Sequence, residues 1–379
     1  MLEAWQPRLV SAWRRVRGST ADAPSLTAEE RRDVVAGAQR LSQGLTRERD
    51  LAGARYFEDP QLLGAYLLLY WPRSYAQAAS VLREIGGVNG RVLDVGSGPG
   101  PLALAALDAG ATRALAIDRS AAALAVAQTL ADSSERDEAS QRRRLETARW
   151  EPARPLPDGP FDLVLAGHVL NELYGDDIAA RAKLVEAMLS RLSAGGFVVL
   201  VEPALRETSR ALLALRDRLV AGGATVRAPC LYRGDCPALA RQSDWCHAER
   251  PWIPPPLVDE LAHAAKLHRD ALKMSYLVLQ ALGAAWPSLP AGRLFRIVSE
   301  PLPQKGQHRY VGCGPEGRVP LVLPEKHVRE SNRAFTTLVR GEVARIDRLT
   351  PRGDGLRLDE ESVVERIAGA DEPVGDRRK

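Results

Sequence analysis

The chain has 379 residues, 45% of them apolar and 26% charged, with a formal net charge of +4, enough for two or three domains with cores of their own. Its longest apolar run, Leu63 to Trp71, is too short for a bilayer, which takes about 20 residues, so no membrane span is expected. The cations are almost all arginine; a GC-rich coding bias accounts for that, and only local clusters are informative about partners.

The N-terminal stretch MLEAWQPRLVSAWRRVRGST lacks the apolar core and small-residue cleavage site of a secretory signal, although its arginines and scarcity of acids faintly resemble a transit peptide. A bacterial cytosol is expected, or the mitochondrial matrix in a eukaryote. Residues 1–85 read as a helical N-terminal subdomain. One helix starts at a Thr27 cap whose Glu30 completes a capping box. A second runs through GAYLLLYWPRSYAQAASVLREI, broken or kinked at Pro72, its apolar spacing explained by packing rather than by a ligand box.

From Arg91 to Pro203 short β-rich runs alternate with helical patterns: RVLDV, RALAID, FDLVLAGHVL and GFVVLVEP are the strands. That alternation implies a parallel sheet. Asp132 to Arg144 is a charged, solvated loop. After a helix near 209–223 comes a cysteine-rich stretch, 224–256, closed by PWIPPP; then a helix over about 257–283, a hairpin of LFRIVSEP and HRYVGCG, a small β-rich region with RVPLVLP, GEVARIDRL and GLRLDEES, and a disordered last dozen residues.

In LDVGSGPG, Asp94 ends a strand, and Gly96, Gly98 and Gly100, with Ser97 between them, permit a tight turn whose backbone N–H groups face a cofactor. Asp118 closes the next strand, where an acid commonly holds ribose hydroxyls. This arrangement resembles the class I S-adenosylmethionine-dependent methyltransferases. The resemblance implies a Rossmann-like α/β fold with a mostly parallel seven-stranded sheet over residues 86–320, a metal-binding insertion at 224–292 and a β-rich extension at 321–379. The hairpin around Cys313 would supply the last two strands of that sheet.

Cys230, Cys236, Cys246 and Cys313 are the only cysteines. Without a secretion signal they read as ligands rather than disulfides. Four thiolates complete a tetrahedral zinc site or an iron–sulfur cluster; the gaps of five, nine and sixty-six residues contain no paired zinc knuckle. Four small buried apolar residues without a metal is the plain alternative, and His247 reads as a neighbour of the site rather than a ligand.

VLDVGSGPG, HVLNEL (168–173), VEP (201–203), APC (228–230), DCP (235–237), DWCH (244–247) and CGPEG (313–317) together resemble the methyltransferase-like small-ribosomal-subunit assembly factors of mitochondria and their bacterial homologues. The resemblance implies a [4Fe-4S] cluster on the four cysteines, an adjacent S-adenosylmethionine site, and binding to small-subunit ribosomal RNA and the immature small subunit, with a monomer expected. Leu231, Tyr232, Ala248 and Glu249 depart from the family pattern without removing a cysteine.

Methyl transfer itself is less legible. The segment after the fourth strand, GHVLNEL, lacks the Asn-Pro-Pro-aromatic motif of amino-group enzymes; Asn171 and Glu172 are candidates for substrate positioning and equally for loop hydrogen bonding. A pyrimidine C5 route needs a nucleophilic cysteine, and all four are committed. A non-catalytic RNA-binding assembly factor and a small-molecule methyltransferase with structural zinc therefore stand as alternatives. Candidate RNA contacts are Arg233, Arg241 and Arg250; Lys305, His308 and Arg309; Lys326, His327, Arg329 and Arg333; and Arg14, Arg15 and Arg17. Trp245 is expected to pack beside its ligand neighbour, while Trp252 could stack on an unpaired base.

Overall fold

The computed structural model describes residues 2–19, 25–132 and 144–374. The N-terminal helices are α1 (Leu2–Val16), α2 (Ala28–Ser42), α3 (Pro60–Ala65) and α4 (Trp71–Glu84). Thr27 and Glu30 form the expected capping box of α2, and Glu30 also takes Arg14 of α1 in a buried bidentate pair at 2.8 and 2.9 Å. Pro72 does not break its helix. It sits in the first turn of α4, directly after a π-helical turn, Tyr66–Tyr70, that joins α3 to α4; proline is tolerated where its missing N–H would be unpaired anyway.

The α/β region comprises β1 (Gly90–Val95), α5 (Pro101–Asp108), β2 (Ala111–Asp118), α6 (Ala121–Asp132), β3 (Arg144–Arg149), β4 (Phe161–Gly167), α7 (Ile178–Leu189), β5 (Leu192–Pro203), α8 (Arg206–Ala221), β6 (Thr225–Ala228), β7 (Ala248–Pro251), α9 (Pro256–Ala264) and β8 (Ala271–Gln280). The sheet order is β3-β2-β1-β4-β5-β8-β6, with β7 as an eighth strand on β8. Strands β1 to β5 pair in parallel, and β8 runs antiparallel to β5, β6 and β7. Alternation along β5 serves two cores: Phe197, Val199 and Val201 face α1 to α6, and Val198 and Leu200 face α7 and α8.

Two sequence expectations change here. The helix expected over 257–283 is α9 followed by a strand, Ala271–Gln280, whose residues from Met274 to Leu279 are all buried, as in a strand covered on both faces. The last two strands of the main sheet are therefore β6 and β8, not the hairpin around Cys313. That hairpin belongs to a second sheet of β9 (Leu294–Ile297), β10 (Gln307–Gly314), β11 (Gly317–Pro324), β12 (Val343–Asp347), β13 (Thr350–Arg352), β14 (Gly355–Arg357) and β15 (Val363–Ala368), in the order β13-β14-β11-β10-β9-β12-β15. Its core is Phe295, Ile297, Tyr310, Leu321 and Phe335 with their neighbours.

Strand β3 escaped the sequence reading because RLETAR has little apolar pattern. The charged segment before it lies almost wholly outside the described residues. Of the last dozen residues, expected to be disordered, 368–374 are placed: Asp371 pairs with Arg83 at 2.7 Å and Val374 is buried; 375–379 lie outside the described residues. Glu84 links the layers. It meets Arg250 of β7 at 3.1 Å and Arg296 of β9 at 3.0 Å, and accepts from the Tyr276 hydroxyl of β8. Among the described residues, no helix is long and apolar enough to cross a membrane.

Candidate functional site

The loop after β1 turns through three glycines with positive φ, Gly96 (67°), Gly98 (51°) and Gly100 (75°). A Cβ on Gly96 would stand 2.4 Å from Val169 and one on Gly98 would stand 3.1 Å from Phe57, so side chains are excluded by both φ and space. The Gly96 and Ser97 N–H groups donate to the Ile117 carbonyl, and the Gly98 N–H donates to Asp118 Oδ2 at 2.8 Å, so these N–H groups hold the turn together instead of facing a cofactor as expected. The other Asp118 oxygen accepts from the Ser120 N–H at 2.8 Å. Trp71 anchors the loop from behind through the Pro99 carbonyl at 3.1 Å.

This loop borders a cleft of about 800 Å³, within the range of small-molecule sites. Of the predicted cofactor residues, Gly96, Gly98 and Asp118 line it. Asp94, Ser97 and Gly100 shape the loop without reaching the cleft wall. Asp94 is buried, accepts from the Ala103 N–H of α5 at 2.9 Å, and is pushed up to about 7 by burial.

Asn171 and Glu172 both line the cleft and both are engaged. The Asn171 amide donates to the His168 carbonyl at 2.6 Å, while Arg49 donates to its Oδ1 at 3.1 Å. Glu172 accepts from the Tyr56 hydroxyl and the Gly53 N–H, each at 3.3 Å, and burial pushes it up to about 7. Glu202, in the VEP segment but not singled out from sequence, holds the loop by accepting from the Leu170 and Asn171 N–H groups at 2.9 and 3.1 Å. It too is pushed up to about 7 by burial.

His168 is the residue that sequence reasoning missed on this wall. Its φ is 61°, and burial pushes its imidazole down to about 4, which keeps it neutral. Because the Gln77 amide nitrogen donates to the Lys273 carbonyl at 3.1 Å, its oxygen accepts from His168 Nε2–H at 3.0 Å. The opposite wall is aromatic: Tyr56, Phe57, Tyr66 and Tyr70 follow one another at centroid distances of 4.4, 4.9 and 6.0 Å. The N-terminal helices thus supply cleft lining as well as packing. A spacing of i, i+4 at Tyr66 and Tyr70 was the available signal.

The second site gathers all four cysteines, which line one cavity of about 70 Å³. Cys230 follows β6, Cys236 donates its N–H to Asp217 at 2.8 Å, Cys246 precedes β7, and Cys313 comes from β10 of the second sheet. Burial raises every thiol, Cys236 to about 12 and Cys246 to about 11, and neighbouring thiols add to the effect at Cys236, Cys246 and Cys313. Arg216, Arg296, Arg318 and Arg340 supply compensating positive charge. His247 lines the same cavity, pairs with Glu249 at 2.8 Å, and stacks on Trp245 at 4.2 Å, which is the packing role expected of Trp245.

A donor set of four thiols inside a cationic shell fits a soft metal centre. Among the described residues, the one group of three metal-type donors within 4.8 Å of one another is Asp259, His263 and His268. In the Asp259 group His263 is exposed and Asp259 and His268 are half-buried, and the carboxylate is already shared between the two imidazoles at 3.4 and 3.3 Å.

The candidate RNA contacts separate. Arg250 is buried against Glu84 and is withdrawn as a surface contact, as is Arg14, which is sealed against Glu30. Lys305, Lys326 and Arg333 are exposed and His308 is half-buried. The Glu325 N–H to Gly306 carbonyl bond brings Lys305 and Lys326 to one end of the β10–β11 hairpin. Arg233 lies apart, its guanidinium 5.4 Å from the Trp286 ring centre.

Among solved structures, the N-methyltransferase NodS from Bradyrhizobium japonicum, in complex with S-adenosylhomocysteine, aligns with a TM-score of 0.36 and 14% identity over 65% of this chain and 98% of that one. TrmN from Thermus thermophilus aligns at 0.35 and 21% identity over 57% and 53%. The ribosomal protein L11 methylase from Lactobacillus delbrueckii aligns at 0.33 and 19% over 55% and 79%. No curated protein matches the chain. Residues 63–355 match the family model described as mitochondrial small ribosomal subunit Rsm22. That match spans more than half of the sequence, and the chain belongs to this family.

Proposed function

We propose that this protein binds S-adenosylmethionine and a [4Fe-4S] cluster and acts on, or helps to assemble, the small ribosomal subunit through its RNA, in a bacterial cytoplasm or, in a eukaryote, the mitochondrial matrix. The observation that carries this is the meeting of four cysteines from distant segments in one arginine-lined cavity, in a member of this family. Cys230, Cys236, Cys246 and Cys313 would hold the cluster, and the lack of a paired zinc knuckle among them favours it over a single zinc ion. A centre there would tie the chain after β6 to β10, and so one sheet to the other.

Gly96, Gly98 and Asp118 would hold the cofactor, whose bound form supplies an electrophilic methyl group. Glu202 positions the loop that carries Asn171 and Glu172, and neutral His168 offers a hydrogen-bonding group on the cleft wall. A non-catalytic assembly factor is favoured by a specific observation: the polar atoms of Asn171 and Glu172 are already engaged in holding loops together.

Anaerobic purification followed by iron, acid-labile sulfide and zinc analysis tests the metal reading. About four irons and four sulfides per chain, with a brown absorption lost in Cys313→Ser, are expected; zinc alone refutes it. Calorimetry with S-adenosylhomocysteine tests the cleft, and unchanged affinity in Gly98→Arg would overturn the cofactor assignment. Methyl transfer to immature small subunits separates the enzyme from the non-catalytic factor.

A further inference from the structure

The mouth of the cleft carries a feature that cofactor binding does not use. Arg73 of α4 and Arg269, in the loop after α9, both line the cleft beside Tyr70, and Arg73 is hydrogen-bonded to the chain two residues before Arg269. Arg73 donates to the Leu267 carbonyl at 2.9 Å and lies 5.9 Å from the Tyr70 ring centre; Arg269 donates to the His268 carbonyl at 3.2 Å. Among the described residues, neither guanidinium is paired with a carboxylate. The nearby acids are committed elsewhere: Asp270 to His268 at 2.8 Å, and Glu249 to Lys273 at 3.2 Å and to His247.

Two unpaired guanidiniums held together repel each other, and an anion between them relieves that repulsion. The four-ring series described above leads from Tyr70 to Phe57, which touches the Gly98 position. Trp252 adds a further half-buried aromatic surface to the same cleft. Cations at the mouth and flat rings within are the complement of a nucleotide: phosphate outside, base inside. A duplex presents a base this way only by flipping it out of the stack, which costs unpairing and unstacking that a single strand does not incur.

We propose that the cleft mouth takes one unstacked nucleotide of single-stranded RNA, with its phosphate on Arg73 and Arg269 and its base against Tyr70 and Trp252. This rests on the reading of the chain as an RNA-directed protein. It assigns the acceptor side of the cleft, which the exposed cations of the second sheet do not reach.

The test uses the full chain, with its metal retained, and fluorescence anisotropy with labelled oligoadenylate, the same strand made abasic, and a duplex of equal length. Inorganic phosphate as competitor separates a bare anion site from a nucleotide site. Wild type is expected to bind the base-bearing strand at least about tenfold more tightly than the abasic strand or the duplex, since stacking of one base contributes about 1–3 kcal/mol. Arg73→Ala/Arg269→Ala is expected to weaken binding at least tenfold and to reduce the salt slope by about 1.4, two phosphate contacts at ~0.7 each. S-adenosylhomocysteine affinity in that variant should match wild type, which shows that it is folded. Equal binding of abasic and base-bearing strands, full competition by phosphate alone, or an unchanged slope in the folded variant overturns the inference. Wild type that fails to bind small-subunit RNA at all would instead overturn the RNA-directed reading beneath it.

Discussion

Replacing Glu84 by glutamine removes one charge from a site where three side chains depend on it. Glu84 is 1% exposed and stands between Arg250 and Arg296, themselves 3% and 7% exposed, at 3.1 and 3.0 Å. Breaking a buried pair by removing one partner costs about 3–5 kcal/mol, because the remaining charge stays buried without compensation. Glutamine retains one acceptor oxygen, so Glu84→Gln should fall near the lower end, about 3 kcal/mol. The comparison is Asp371→Asn, which breaks an exposed pair with Arg83 of similar length, 2.7 Å with 61% and 38% exposure, and should cost less than about 1 kcal/mol. Urea unfolding of both variants, followed by tryptophan fluorescence, gives the difference from the midpoint shift at constant slope. Since Glu84 joins α4 to β7, β8 and β9, the loss should register in both sheets at once. A Glu84→Gln cost as small as that of Asp371→Asn would refute the assignment of Glu84 as the electrostatic link between the layers.

Gly96→Ala places a Cβ 2.4 Å from Val169 at a φ of 67°; it should abolish S-adenosylhomocysteine binding in calorimetry, whereas Gly195→Ala, with a similar φ of 75° and open space around it, should cost only about 1 kcal/mol of stability and leave binding intact. Arg119 donates to the Gly53 and Ala54 carbonyls at 2.6 and 2.7 Å, and Arg119→Ala should weaken binding about tenfold by releasing the segment that meets Glu172, a loss of about 1.5–3 kcal/mol of charge-assisted hydrogen bonding. Because His168 is held down to about 4 while an unfolded histidine titrates near 6.5, the unfolded chain takes up the extra proton first as pH falls. Stability is then lost between about 6.5 and 4, by up to ~2 kcal/mol from pH 6.5 to 5. His168→Asn should flatten that part of the stability profile relative to wild type; the carboxyls of Asp94, Glu172 and Glu202, raised to about 7, act in the opposite direction but are common to both proteins. Identical profiles would contradict a neutral, half-buried imidazole.

What was legible in the sequence is whatever local chemistry dictates. Three glycines between a strand-ending acid and a helix can make only a few turns, so the loop at 96–100 and Asp118 were readable, as were the Thr27–Glu30 cap and, β3 excepted, the alternation of strands and helices through β5. The four cysteines were readable as a set because thiols have so few roles in a chain of this kind. Tertiary structure decided the rest. LKMSYLVL satisfies helix and strand periodicity alike, and only pairing with β5 on one side and β6 and β7 on the other made it a strand; that pairing sent the Cys313 hairpin to a second sheet. Whether an arginine meets solvent or a buried carboxylate is likewise invisible along the chain: Arg250 and Lys305 read alike until Glu84, 166 residues away, comes to lie beside one of them. The aromatic wall and the unpaired arginines at the cleft mouth arise from segments that meet only when α3, α4 and α9 close over the sheet, because long-range juxtaposition is set by which surfaces must be buried together and not by spacing in sequence.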